Sequence, residues 1–147
     1  MDEDPGVCEM TVVECWAMLR EHELGRFAFR AVDEQHITPV NYAVDRGPGE
    51  PTLLFRTAAG TKLLGVVLGA EVAFEIDEVV GDTAASVVVR GTARRLEEDE
   101  AHRADHLPLR PWVGPHKHEV VEIVPSAVTG RRFRLSRPWR TMQGAPE

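Results

Sequence analysis

The strongest constraint on the fold is a succession of short segments with strand character, separated by turn residues. Seven such segments follow one another, at residues 26–32, 36–44, 52–57, 71–79, 85–96, 119–124 and 131–135. Only two connections between them, residues 62–68 and 97–107, have helical character. A chain of mostly antiparallel strands with peripheral helices favours a closed, Greek-key-like β-barrel over a doubly wound sheet.

Local signals mark the ends and irregularities of these elements. Thr11 and Glu14 form a capping-box pattern that predicts the start of an N-terminal helix, and Gly25 is placed to end it. Pro39 inside the second strand indicates an edge, a bulge or a point where the ladder opens. Gly91 predicts a bulge or a close backbone approach. We expect one domain at residues 11–135, with tails at 1–10 and 136–147.

Composition narrows the classes of function. The 147 residues carry a formal net charge of −7, which argues against nucleic acid or an anionic membrane as the main partner. No apolar run approaches the roughly 20 residues that span a bilayer, and the acidic start lacks a signal-peptide core. These features predict a cytoplasmic protein. Two cysteines, Cys8 and Cys15, are too few for a disulfide framework and are expected to be free thiols.

One corner of the sequence is suited to holding a phosphate. An apolar strand ends in Arg56 and Thr57, turns through Gly60, and restarts as a helix at Thr61 and Lys62. Unpaired backbone amides and the positive end of a helix favour an anion at such a turn. A strand-to-helix turn taken alone is more often only a turn, so the interpretation depends on context.

Other constellations are weaker. His102 and His106 share a face of the predicted helix, and His116 and His118 share a face if their segment is extended. No cysteine or carboxylate pattern completes a metal site, so no metal is expected. No Ser-His-Asp or Cys-His arrangement is indicated either, and no side chain is assigned a catalytic role.

The order and content of several segments resemble the pyridoxamine 5′-phosphate oxidase-like flavoproteins, the FMN-binding split-barrel family. The similarity extends over residues 10 to 135 and is greatest to the small bacterial branch that includes the nitroimidazole-resistance (Nim-type) proteins. The segments that carry it are residues 25–29, 36–42, 55–62, 86–91, 107–112 and 128–132.

The resemblance implies a six-stranded split barrel that forms a homodimer, with FMN in a groove at the interface. It places the phosphate at Arg56, Thr57, Gly60, Thr61 and Lys62. It also implies that the strand segment Pro39, Val40, Asn41 and Tyr42 runs beside the isoalloxazine ring. Trp112 would close over the flavin from the partner chain, and Arg132 is a further candidate for that partner-side role.

The resemblance also bears on the reaction. True pyridoxamine phosphate oxidases end in an Arg-x-His substrate motif, whereas residues 131–135 lack the histidine. We therefore expect an FMN-dependent oxidoreductase that takes electrons from a small-molecule donor and reduces small planar electrophiles of nitroaromatic or quinone type. The alternative is a non-catalytic flavin carrier or sensor, and a pocket for deazaflavin or haem is a third interpretation. FMN is expected over FAD and riboflavin because of the phosphate corner.

Overall fold

The part of the chain that the structure describes contains seven antiparallel strands, which form one sheet that closes on itself. The structure is a computed structural model that describes residues 6–58, 67–105 and 118–136. The strands are β1 (Val7–Glu9), β2 (Leu24–Ala31), β3 (Glu34–Asp45), β4 (Thr52–Ala58), β5 (Glu71–Val80), β6 (Thr83–Arg95) and β7 (His118–Arg134). Within the described residues, the helices are α1 (Val12–Glu21) and the four-residue α2 (His102–Asp105), which follows a 3-10 turn at Glu98–Glu100. The helix predicted at 62–68 lies almost entirely outside the described residues.

The strand order is β1-β7-β4-β3-β2-β5-β6, and a further pairing of β6 with β7 closes a ring of six strands. The long strand β7 makes this closure: residues 118–123 pair with β4, and residues 121–134 pair with β6. Strands β4 and β5 are consecutive among the described strands but lie on opposite sides of the β2–β3 pair, which gives the sheet its Greek-key character. The predicted β-barrel is confirmed, and β1 adds a short outer strand to β7.

Two predicted elements were wrong. The segments at 119–124 and 131–135 belong to one strand, because β6 holds the intervening Pro125 and Gly130 in register on its edge. A register shift between Arg90 and Gly91 lets β6 follow this path, which confirms the irregularity predicted at Gly91. The helix predicted at 97–107 is reduced, within the described residues, to the 3-10 turn and α2.

The capping box of α1 is present. The backbone N–H of Glu14 donates to the Thr11 hydroxyl over 3.2 Å, and the N–H of Thr11 donates to the Glu14 carboxylate over 3.0 Å. The helix ends at Glu21, so Gly25 is not its cap. Gly25 instead lies in β2, where a Cβ would come within 2.2 Å of the Phe74 ring. The glycine is needed for packing and not for the helix end.

The barrel interior holds the main core. Phe27, Phe74, Ile76, Val87 and Ile123 are fully or almost fully buried there. Helix α1 contributes its buried face, Cys15, Trp16, Met18 and Leu19, to this same cluster. Both cysteines are free thiols, one exposed and one buried. None of the helices in the described part of the chain has the length and apolar character needed to cross a bilayer.

Candidate functional site

The barrel is split between β3 and β4. Their ladder begins at the pair Asp45–Thr52 and extends only to the pair Tyr42–Phe55. Beyond it β3 pairs with β2 alone, over residues 34–41, while the end of β4 pairs with β7. Within the described residues, the two strands therefore diverge, and a cleft opens between Pro39–Asn41 on one side and Arg56–Ala58 on the other.

The cleft brings together two segments that the sequence placed in the site. Pro39 lies on β3 opposite Arg26 of β2, where β3 has no ladder to β4. Proline has no backbone N–H, so its presence lets the ladder end here without an unpaired donor on that residue. The opening predicted from Pro39 is confirmed, and Pro39, Val40, Asn41, Arg56 and Thr57 border it.

Side-chain alternation decides which residues face the outside of the cleft. Tyr42 and Phe55 point into the barrel, where their rings lie 4.7 Å from Phe74 and 5.0 Å from Phe27, respectively, between centroids. Their neighbours Asn41 and Arg56 therefore project to the outer face, because successive side chains in a strand alternate. Both are half-buried. The outer face of the cleft thus combines an amide and a guanidinium.

Arg56 carries the observation that most suggests a ligand. Its Nε is buried and has no hydrogen-bond partner among the described residues. A buried donor without a partner is destabilising by roughly 1–3 kcal/mol and is rare in folded proteins. An anionic oxygen at this point would satisfy it. The position, at the end of β4 and beside the open ladder, is the one the sequence predicted for a phosphate.

Tyr42 supports the cleft from the inside of the barrel. Its hydroxyl donates a 2.6 Å hydrogen bond to the Leu19 carbonyl, and its backbone N–H donates to the Glu23 carbonyl over 3.0 Å. Burial raises the pKa of the phenol well above 10, so the side chain stays protonated in the core. Tyr42 therefore fixes the strand that borders the cleft and does not act as an acid or base near neutral pH.

Of the remaining predicted site residues, Arg132 alone belongs to the part of the chain that the structure describes. Gly60, Thr61, Lys62 and Trp112 lie outside the described residues. Arg132 lies near the opposite end of β7, where its guanidinium makes a 2.9 Å ion pair with Glu14 of α1. Val120 pairs with Arg56 in the β4–β7 ladder. It is twelve residues from Arg132, about 40 Å along an extended strand. Within one chain, Arg132 does not reach the cleft.

A buried ionic cluster on the neighbouring outer face was missed by the sequence interpretation. Glu122 is 2% exposed and accepts hydrogen bonds from Thr52 over 2.6 Å, from Arg94 over 2.7 Å and from Arg103. Arg94 also binds Glu100, and Arg103 binds Asp45. A glutamate inside the apolar run at 120–124 was the available signal. The cluster anchors the 3-10 turn and α2 beside Leu54, which pairs with Glu122.

The pKa values of this cluster follow its contacts. Burial alone would raise the pKa of Glu122, but the hydrogen bonds from Thr52, Arg103 and Arg94 outweigh it and hold the pKa below 4.5. The hydrogen bonds from Arg94 lower the pKa of Glu100 from 4.5 to about 2. The carboxylates are thus ionised at neutral pH, and the cluster is a structural support and not a proton donor.

Comparison with known proteins identifies the family of this fold. The sequence model of the pyridoxamine 5′-phosphate oxidase family matches residues 11–132. The chain belongs to this family. An uncharacterized protein of Mycobacterium tuberculosis is 40% identical over 85 residues, which cover 57% of this chain and 77% of the relative. The family resemblance predicted from the sequence is therefore confirmed.

Solved structures agree with this assignment. A protein of Mycobacterium smegmatis described as FAD-binding is 37% identical, with a TM-score of 0.74 over 86% of this chain and 100% of its own. A protein of Bacteroides thetaiotaomicron, named provisionally for 5-nitroimidazole resistance, is 13% identical with a TM-score of 0.65 over 90% and 94% of the two chains. The latter similarity shows a shared fold.

Proposed function

We propose that the cleft between β3 and β4 binds a flavin through its 5′-phosphate. The observation that carries the proposal is the buried Nε of Arg56, which has no partner among the described residues. A guanidinium matches the geometry of phosphate oxygens and remains charged at every physiological pH. The 37% identical relative described as FAD-binding supports a flavin as the molecule that carries this phosphate. We expect the half-buried Asn41, on the same face, to meet a polar edge of the ring.

FMN is the smallest flavin that offers this phosphate, and we propose it as the cofactor. In FAD the same phosphate is part of a pyrophosphate and carries less charge, and riboflavin lacks it. We further propose that a second copy of the chain covers the outer side of the cleft, and with it the flavin, in a two-fold homodimer. The ion pair of Arg132 with Glu14 leaves Trp112 as the stronger candidate for the partner-side contact.

The proposed activity is electron transfer from the flavin to small planar electrophiles of nitroaromatic or quinone type. The described residues that border the cleft, Pro39 to Tyr42 and Arg56 to Thr57, include no histidine, cysteine, lysine or carboxylate. A bound flavin supplies the redox chemistry itself, while the protein binds and orients it and limits access of water. A reaction that needs no acid or base from the chain fits this cleft.

The test of cofactor binding compares riboflavin, FMN and FAD by fluorescence titration. Arg56→Met should weaken binding of FMN by about 10- to 150-fold, the range for losing a charged hydrogen bond, and leave riboflavin binding nearly unchanged. Arg46→Met is the matched control, because Arg46 is exposed in the loop after β3. Equal affinities for riboflavin and FMN in the unmodified protein would contradict a phosphate anchor.

The test of activity is rapid-mixing spectroscopy of the loaded protein. Chemically reduced flavin on the protein should be reoxidised by a quinone or nitroaromatic faster than free reduced flavin at the same concentration. A rate no faster than that of the free flavin would support a flavin carrier in place of an enzyme. Reduction of the bound flavin by pyridoxamine phosphate would overturn the exclusion of that substrate.

A further inference from the structure

A second groove lies on the outside of the barrel, where β1 and β6 flank the end of β7. It encloses about 670 Å³. Its lining combines three apolar side chains, two cations and a hydroxyl, which are Val7, Phe133 and Leu135, Arg131 and Arg134, and Ser86. Arg131 is eleven residues beyond Val120, the partner of Arg56, or about 36 Å along an extended strand. We call this the β1–β7 groove, and it is separate from the cleft.

The apolar side of the β1–β7 groove belongs to a row of paired residues that crosses four strands. Phe133 of β7 pairs with Val7 of β1 and with Ala84 of β6, and Ala84 pairs with Val79 of β5. Directly paired side chains share a face of the sheet. The row faces outward, because Val87, an odd number of residues from Ala84, lies in the core. Val7 and Val79 are 38% and 57% exposed, so the row offers apolar surface to a ligand.

The cationic side of the groove lacks balancing carboxylates. No acidic side chain is among the described residues that line it, and no carboxylate of the described chain lies within 4 Å of Arg131 or Arg134. By contrast, Arg26, Arg94 and Arg103 each bind two or more carboxylates. In a chain of net charge −7, two neighbouring unbalanced guanidinium groups favour an anion at this point.

Backbone hydrogen bonds fix the walls of the groove. The N–H of Arg134 donates to the Gly6 carbonyl over 3.1 Å, and the N–H of Leu135 donates to the Asp82 carbonyl over 2.7 Å. These bonds tie the end of β7 to the segments on both sides of it. A ligand therefore meets a groove whose backbone is already ordered, which lowers the entropic cost of binding.

We infer that the β1–β7 groove binds a small amphiphilic carboxylate, whose head lies at Arg131 and Arg134. The apolar chain of this ligand lies over Val7 and Phe133. A guanidinium binds a carboxylate in a bidentate manner. Glu9 lies opposite Arg131 in the β1–β7 ladder, so a singly charged head is favoured over a doubly charged phosphate monoester. This site gives the protein a second binding function, for apolar acids, that does not depend on flavin.

The test of the head group is isothermal titration of the full chain with decanoate, in the absence of flavin. Decanoate should bind as one molecule per chain, and more tightly than decyltrimethylammonium, which has the same tail and the opposite charge. Arg131→Met and Arg134→Met should each weaken binding by about 5-fold, the upper value for an exposed ion pair. Glu9→Gln removes a nearby negative charge and should strengthen binding. Arg20→Met, at an exposed position on α1, is the matched control and should leave binding unchanged.

The apolar side is tested by Val7→Thr, which replaces one methyl group by a hydroxyl at an exposed position. Decanoate binding should weaken by about 4-fold, the equivalent of one buried methylene. All the substituted residues are exposed, so the variants should fold, and circular dichroism checks this. An unchanged affinity in Val7→Thr would show that the chain of the ligand does not lie over this row.

Several outcomes would overturn the inference. These are no binding of decanoate, equal binding of decyltrimethylammonium, and binding that is insensitive to Arg131→Met. Tighter binding of decyl phosphate would contradict a carboxylate head. If decanoate does not bind and Arg131→Met instead changes the oligomeric state seen by light scattering, the groove is a protein contact.

The flavin cleft is tested separately. Saturating FMN should not displace decanoate, and displacement would show that decanoate occupies the cleft. Arg56→Met should leave decanoate binding intact while it weakens FMN binding. Failure of the flavin proposal and failure of this one therefore give different results.

Discussion

The hydroxyl of Tyr42 donates a 2.6 Å hydrogen bond to the backbone carbonyl of Leu19, and so joins the last part of α1 to the strand that borders the cleft. Both residues are buried, at 3% and 0% exposure. Tyr42→Phe should lower the free energy of unfolding by about 1–3 kcal/mol, because the Leu19 carbonyl is left without its donor inside the core. Urea denaturation followed by circular dichroism measures this. A change below a few tenths of a kcal/mol would show that solvent replaces the hydroxyl.

The same residue predicts a loss of stability in alkaline solution. Burial raises the pKa of Tyr42 in the folded chain above its ordinary value of 10. The protonated phenol contributes fully to the stability of the fold below pH 10. This contribution is lost as the pH rises from there toward the pKa of the folded state. The sequence contains a single tyrosine, so ultraviolet difference spectra report its ionisation alone. Ionisation should coincide with unfolding, and Tyr42→Phe should remove this part of the alkaline dependence.

The Glu122 cluster predicts the opposite dependence in acid. Glu122→Gln should destabilise the protein by about 3 kcal/mol, the lower end of the range for breaking a buried ion pair, because Arg94 and Arg103 remain partly exposed. The pKa values of Glu122 and Glu100 are lowered in the folded chain, so their ionised carboxylates stabilise the fold above pH 4.5. This contribution is lost as the pH falls toward about 2. Acid titration monitored by circular dichroism should therefore be less steep for Glu122→Gln. Glu98→Gln, at an exposed position, is the control.

A tight turn between β2 and β3 offers a gain of stability. Val32 and Asp33 have φ angles of 47° and 63°, the left-handed region that β-branched residues disfavour. Val32 is also 85% exposed, so little packing is lost on its replacement. Val32→Asn should raise the free energy of unfolding by about 1 kcal/mol, which thermal denaturation measures. Val80→Asn, at an exposed valine within β5, should bring no such gain, and an equal gain there would refute the turn argument.

The sequence predicted those features that depend on local pattern. The capping box at Thr11, the irregularity at Gly91 and the opening at Pro39 are each encoded by a residue type with a specific backbone requirement. The continuity of β7 was not predictable in this way, because Pro125 and Gly130 resemble turn residues until β6 holds them in register. The pairing partners of Glu122 lie on β4, β6 and α2, so its contacts depend on the closed barrel.

Arg56 suggests a conflict between stability and binding. Its buried Nε lacks a partner among the described residues, so the guanidinium is unfavourable until a ligand meets it. Arg56→Met keeps the length of the side chain and removes the unsatisfied donor. In the absence of flavin, the variant should therefore melt at a higher temperature than the unmodified protein.

With excess FMN the order should reverse, because ligand that binds the folded state alone stabilises it in proportion to affinity. The order of the two melting temperatures should thus reverse. Arg56→Met should melt at the higher temperature without FMN and at the lower temperature with it. Differential scanning calorimetry with and without FMN measures both midpoints, and Arg46→Met controls for the loss of one positive charge. A variant that is less stable than the unmodified protein in both states would show that Arg56 is a structural residue whose Nε is not poised for a phosphate.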